Sequence, residues 1–139
     1  MNAQEWLQQV RAADDEIQIL RRSMFDAYAQ ATSTTAPVDG VVVQHSADPH
    51  RFDGIAELDE AIYDRIRDLS AMKAQAVRTI ARLPDPRQRQ VLTAYYIDCR
   101  TKDGLRKTWE MVAVELFMSG GSLMNTRKAA LDAVDKIFV

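Results

Sequence analysis

Cysteine, histidine, glycine and proline are all scarce in this 139-residue chain, which has one Cys, two His, five Gly and four Pro. The lone Cys99 cannot close an internal disulfide, and with only His45 and His50 beside it no zinc ligand set assembles; a reducing compartment fits. An all-β chain would need a turn residue about every ten positions, so the few Gly and Pro, sitting between periodic segments, exclude that class. No stretch approaches the roughly 20 apolar residues of a membrane span, and the opening MNAQEWLQQVRAADDE lacks a basic segment followed by an apolar run. The expectation is a cytoplasmic protein with no membrane contact.

Catalytic parts are missing as well. Asp14, Asp15 and Glu16 form a carboxylate run, but no His or Lys partners them and no pocket-forming α/β pattern surrounds them, so they read as a solvated face. Arg100 and Lys102 beside Cys99 would lower a thiol pKa, yet no base accompanies it, and a structural or exposed Cys is expected. No Gly-rich loop follows a strand, which removes nucleotide cradles. The expectation is a non-enzyme with no catalytic residue, cofactor or metal.

What the chain does have is helical periodicity. Hydrophobic residues make up 47% and charged residues 27%, a balance that folds. Trp6, Val10, Ala13, Ile17, Leu20, Met24, Ala27 and Ala31 recur at alternating steps of four and three, predicting one heptad-patterned helix from about Ala3 to Ala31. Asn2 can cap it, with Glu5 three positions on. Residues 32–52 gather small polar residues, two Pro and a Gly and read as a linker; Val41, Val42 and Val43 could form a short extended piece. A second helix is expected from Asp53, as N-cap, to Leu83, with Ile55, Leu58, Ile62, Ile66, Leu69, Met72, Ala76 and Ile80 as its stripe. Neither helix can bury its stripe alone, so they should pair as a long antiparallel hairpin, coiled-coil-like, within one chain or as a homodimer.

After Pro84 the pattern shortens. Asp85 caps and Pro86 opens a third helix carrying Val91, Leu92, Tyr95 and Tyr96. Residues 99–107 form a basic loop, Thr108 caps a fourth helix, and Ser119, Gly120, Gly121 and Ser122 read as a turn before a fifth. The small Ala113 and the aliphatic Leu123, ten positions on, reproduce the spacing of a helix-turn-helix. The Ala lets two helices cross closely, and the aliphatic fixes the second so that its outer face can enter a major groove about 12 Å wide. Phe117 stands where such a turn commonly has Gly. Either the turn is remodelled there, or the fourth helix runs on to Gly120 and Gly121 and the fifth begins at Ser122. Charge agrees with a division: residues 1–81 carry 8 Lys/Arg against 13 Asp/Glu, whereas residues 82–139 carry 10 against 7. The expected architecture is therefore all-α, with a helical hairpin over 1–83 and a three-helix helix-turn-helix module over 84–139.

The run LPDPRQRQVLTAYYID, the WxxVAxxL arrangement of Trp109, Val112, Ala113 and Leu116, then Ser119 and RKAAL from Arg127 to Leu131, resemble the phage late-transcription activators of the RinA/ArpU type. The C-terminal part of those proteins is similar to the promoter-binding fourth region of bacterial sigma factors. The resemblance implies two long helices around a polar linker, a recognition helix at the C-terminal end, and promoter binding alongside RNA polymerase. It maps Gly120, Gly121, Ser122, Met124, Asn125, Arg127 and Lys128 to the exposed side of that helix. Asn125 would pair with an adenine edge, and Arg127 and Lys128 would meet phosphates or a guanine. Arg106, Lys107 and Thr108 would hold the DNA backbone. Double-stranded DNA is the expected partner. Two other readings stay open: a protein-interaction adaptor with a degenerate helix-turn-helix, and a small terminase-like packaging component, which would form rings.

Overall fold

The first helix opens on a reciprocal cap: Asn2 Oδ1 accepts from the Glu5 N–H at 2.8 Å while Glu5 Oε2 accepts from the Asn2 N–H at 3.2 Å. From there α1 runs over Ala3–Thr32. The computed structural model of the chain describes residues 1–32 and 53–138. The expected linker from residue 33 onward, with Val41, Val42, Val43, His45 and His50, lies outside them. The second helix, α2, covers Asp53–Ala81.

Asp85 caps α3 (Pro86–Leu92) by accepting from the Arg87 N–H at 2.8 Å, with Pro86 at the first helical position, where no N–H is needed. The chain then widens into a π-turn over Thr93–Ile97, closed by Asp98 N–H on the Thr93 carbonyl at 2.8 Å. This turn aims Tyr96 into the core and leaves Tyr95 at its edge. A short loop follows, pinned by an isolated antiparallel bridge between Arg100 and Arg106 and turned at Gly104, whose φ of 83° favours glycine. Then come α4 (Trp109–Glu115) and α5 (Gly120–Ile137). The fold is all-α, and no strand occurs among the described residues.

Two compact units emerge, Met1–Asp15 with Leu69–Val139, and Glu16–Asp68. This differs from the division expected at residue 83. In the first unit Ala3, Leu7 and Val10 of α1 and Ala76, Ile80 and Leu83 pack into one core with Leu92, Tyr96, Ala130, Leu131 and Val134. The Ala3 N–H also donates to Asp135 Oδ1 at 2.6 Å. A heptad pattern reports that a helix has a buried side; it does not say what covers that side, and here the C-terminal helix covers its first two turns. A second cluster, Val91, Ala94, Val112, Ala113 and Leu123, joins α3, α4 and α5.

In the Glu16–Asp68 unit Ile17 and Ile62 are buried. The Arg65 guanidinium clasps Glu16 with both arms, at 2.5 and 3.2 Å, and the Tyr28 hydroxyl donates to Asp59. These pairs set the two helical stretches antiparallel within one chain. Leu58, expected on the buried stripe, is exposed. Among the described residues, no helix is long and apolar enough to cross a membrane.

Candidate nucleic-acid interface

Whether α4 and α5 form a reading head depends on the turn between them. Met118 N–H bonds to the Ala113 carbonyl at 2.8 Å and Phe117 N–H to Val114 at 3.2 Å, the two hydrogen bonds of a Schellman termination. Its left-handed position is filled by Phe117, with φ of 55°, where glycine normally stands. Of the two alternatives the remodelled turn is correct: α4 stops at Glu115, and Gly120 and Gly121 are not a turn but the first residues of α5. Ser119 caps that helix, its hydroxyl accepting from Ser122 N–H at 3.1 Å. Arg87 secures the other side by donating to the Leu116 carbonyl at 2.9 Å.

Ala113 and Leu123 are both buried, so the crossing rests on the two residues their spacing singled out. Trp109 stacks on Tyr95 with ring centroids 3.6 Å apart and planes within 9°. The Arg11 guanidinium lies 3.8 Å over Tyr95 and the Arg127 guanidinium 4.5 Å over Trp109. Rings stacked that closely leave no room on their shared face. The order is therefore Arg11, Tyr95, Trp109, Arg127, a four-layer sandwich linking α1, the π-turn, α4 and α5. Two partly desolvated cation–π contacts are worth about 1–2 kcal/mol each. Arg11 also donates to the Lys107 carbonyl.

This arrangement redistributes the residues expected to meet DNA. Arg127 lies half-buried over Trp109 with its Nε buried, and it also lines a cavity with Met124, Asn125 and Lys128. Lys107 is 7% exposed and holds Asp98 at 2.9 Å and Glu115 at 3.0 Å. Burial would lower its pKa, but the two carboxylates outweigh burial and raise it. It is thus a structural cation. The Thr108 hydroxyl is occupied in capping α4, accepting from Met111 N–H at 3.2 Å. Arg106 is largely exposed but paired with Asp15 at 3.4 Å. Ser122, Met124, Asn125 and Lys128 are exposed on the outer side of α5, as expected. Sequence reasoning missed Asn2 and Gln4, which line a cavity of about 550 Å³ with Met124, Asn125, Arg127 and Lys128. Their only signal was position, since nothing in their spacing placed the start of α1 beside α5.

The loop that precedes α4 is held by a buried ion cluster. Asp14 accepts from Lys73 Nζ at 2.9 Å, from Arg100 Nε at 2.9 Å and from the Cys99 thiol at 3.3 Å, while Arg100 also reaches Asp15 at 2.5 Å. Asp14 is therefore not on a solvated face. Burial pushes its pKa up, but the donors prevail and hold it below the usual carboxylate value. Cys99 moves the opposite way from the sequence expectation: burial first, then Asp14, raise its thiol to about 11. Of the two basic neighbours expected to lower it, Arg100 is spent on Asp14 and Asp15. No cluster of metal-ligating side chains occurs among the described residues.

Comparison with family models, with curated proteins and with solved structures returns no match to this chain.

Proposed function

We propose that the chain is a DNA-binding transcriptional regulator of the phage late-activator type, working in the cytoplasm beside RNA polymerase. The outer side of the first turns of α5 would enter the major groove. The observation that carries this reading is the tight turn flanked by the buried pair Ala113 and Leu123, which leaves Gly121, Ser122, Met124, Asn125 and Lys128 on one exposed side.

The glycines strengthen it. A Cβ at Gly120 or Gly121 would meet nothing within 4 Å, and neither has a left-handed φ, so the fold itself has no need of glycine there. Each sacrifices up to about 1 kcal/mol of helix propensity relative to Ala. Close approach of a duplex to the backbone supplies a reason. In that pose Met124 suits a thymine methyl, Asn125 an adenine edge and Lys128 a phosphate.

The test is an anisotropy titration of upstream DNA from the protein's own genome at two salt concentrations. Lys128→Ala should reduce the log–log salt slope by about 0.9, the share of one neutralised phosphate. Asn125→Ala should reduce discrimination between sites by about 1–3 kcal/mol and leave the slope alone. No preference for any duplex, or an unchanged slope in Lys128→Ala, removes α5 from the groove.

A further inference from the structure

The α2 helix separates its charges along its length. Residues 53–68 carry six Asp/Glu against two Lys/Arg, and residues 69–82 carry three Lys/Arg with no acid. Acid at a helix start and base at its end complement the helix dipole, but that effect fades beyond the first and last turns. Glu57, Glu60 and Asp64 lie past the first turn. The spacing also works against the helix. Glu60, Asp64 and Asp68 stand at steps of four, as do Arg78 and Arg82, and like charges one turn apart destabilise a helix. All five are exposed.

Local pairing does not answer them. Arg65 is held by Glu16 and Lys73 by Asp14, while Arg67 meets Asp64 at 3.5 Å. Glu57, Glu60, Arg78 and Arg82 have no ion-pair partner among the described residues. Glu60 and Arg78 are 18 residues apart, five whole turns at about 3.6 residues each, so they share one side of the helix. Glu57, three residues before the one, and Arg82, four after the other, fall beside them.

That side is complementary to itself. Glu60 lies nine residues before Leu69 and Arg78 nine after it; Glu57 lies twelve before and Arg82 thirteen after. A second α2 laid antiparallel and crossing level with Leu69 sets Glu60 against Arg78 and Glu57 against Arg82, and the two-fold axis repeats both pairs. Ala71 near the crossing permits close approach, Arg67 there is already balanced by Asp64, and Tyr63, 56% exposed, offers apolar area to cover. A parallel pair would set like charge against like. A partner of a single sign would meet one half of the face and be repelled by the other. The formal net charge of −2 opposes self-association only weakly.

We infer that this side of α2 binds the same side of a second copy in an antiparallel, two-fold pair. Exposed ion pairs add little affinity singly, so charge fixes orientation and register and makes the association salt-sensitive. The inference is independent of the DNA reading, which concerns α5. It also differs from pairing through the heptad seams, which face each other within one chain.

The test is sedimentation equilibrium of the full chain up to about 1 mM, at about 0.05 M and about 0.5 M salt. The wild type is expected to form a dimer of the 15.7 kDa chain, with a dissociation constant about tenfold or more higher in the stronger salt. Glu57→Arg with Glu60→Arg, and Arg78→Glu with Arg82→Glu, should each weaken the dimer about tenfold or more. Circular dichroism should stay unchanged, because all four side chains are exposed. Mixing the two double variants should restore the dimer, since each then meets the opposite sign at both ends. A wild type that stays monomeric, a dimer indifferent to both swaps, no restoration on mixing, or growth into larger assemblies overturns the proposal. So does DNA affinity lost in the arginine variant alone beside a monomeric wild type, which hands the basic half of the face to a duplex.

Discussion

Replacing Asp14 with Asn keeps the side chain's size and removes the charge at the centre of the ion cluster, which makes it a clean measure of what ties α1 to the loop before α4. The carboxylate is largely buried and takes two cationic donors at 2.9 Å each. Removing one partner of a buried ion pair costs about 3–5 kcal/mol when the other charge is stranded. Lys73 and Arg100 each keep about a quarter of their side-chain surface in water and can rehydrate. The expected loss is therefore smaller, about 2–3 kcal/mol, or a fall of about 5–10 °C in melting temperature for a chain of this size. Urea unfolding at neutral pH, followed by far-ultraviolet circular dichroism, measures it directly.

The same carboxylate fixes a pH signature. Its folded pKa lies below the ordinary 3.8, so the unfolded chain takes up the proton first as the medium is acidified. Stability from Asp14 is fully present above pH 3.8 and disappears as pH falls through the lower folded value. Wild type and Asp14→Asn should thus differ at neutral pH and converge in strong acid. A neutral-pH difference under about 0.5 kcal/mol, the scatter of ordinary surface substitutions, would refute the reasoning, as would a difference that persists undiminished in strong acid.

Phe117→Gly should raise the urea midpoint, with a gain of about 0.5–1 kcal/mol, because it relieves a left-handed backbone and gives up almost no packing. A lowered midpoint would mean that the ring packs on something in the free protein. Gly121→Ala should stabilise α5 by about 0.5–1 kcal/mol, since a Cβ there meets nothing, yet weaken DNA binding in the anisotropy assay. Higher stability with full DNA affinity would show that no duplex approaches that backbone.

The local devices were legible before the fold was. The Asn2 and Glu5 cap, the Asp85 cap ahead of Pro86, the Thr108 cap and the burial of Ile17, Ile62, Ala113 and Leu123 all follow from spacing and residue type. Each depends on neighbours within a turn or two of helix, or on a hydrophobic side that must be covered by something. What stayed illegible required knowing which distant segment returns to which. Asp14 looked solvated until the loop carrying Arg100 arrived, and nothing in the spacing of Arg127 showed that Trp109 lies beneath it. The helix start at Gly120 was hidden for a different reason: Gly is a poor helix former, and its presence there answers no requirement of the chain's own packing.

Charge shows most plainly why counts along a sequence fall short of a site. Counted along the chain, Glu16–Asp68 holds 5 Lys/Arg against 10 Asp/Glu and the remaining residues 13 against 10, so the opposition of sign follows the observed units. Yet part of that positive charge is spent within the fold. Arg100 and Arg106 answer Asp14 and Asp15, Lys107 answers Asp98 and Glu115, and Arg11 and Arg127 lie against rings. Near the outer side of α5, Lys128 is exposed and has no ion-pair partner among the described residues. A duplex held there releases few counterions, and the salt dependence of binding should be correspondingly shallow. In the proposed pose, affinity would then come from base-edge contacts or from backbone approach at the glycines.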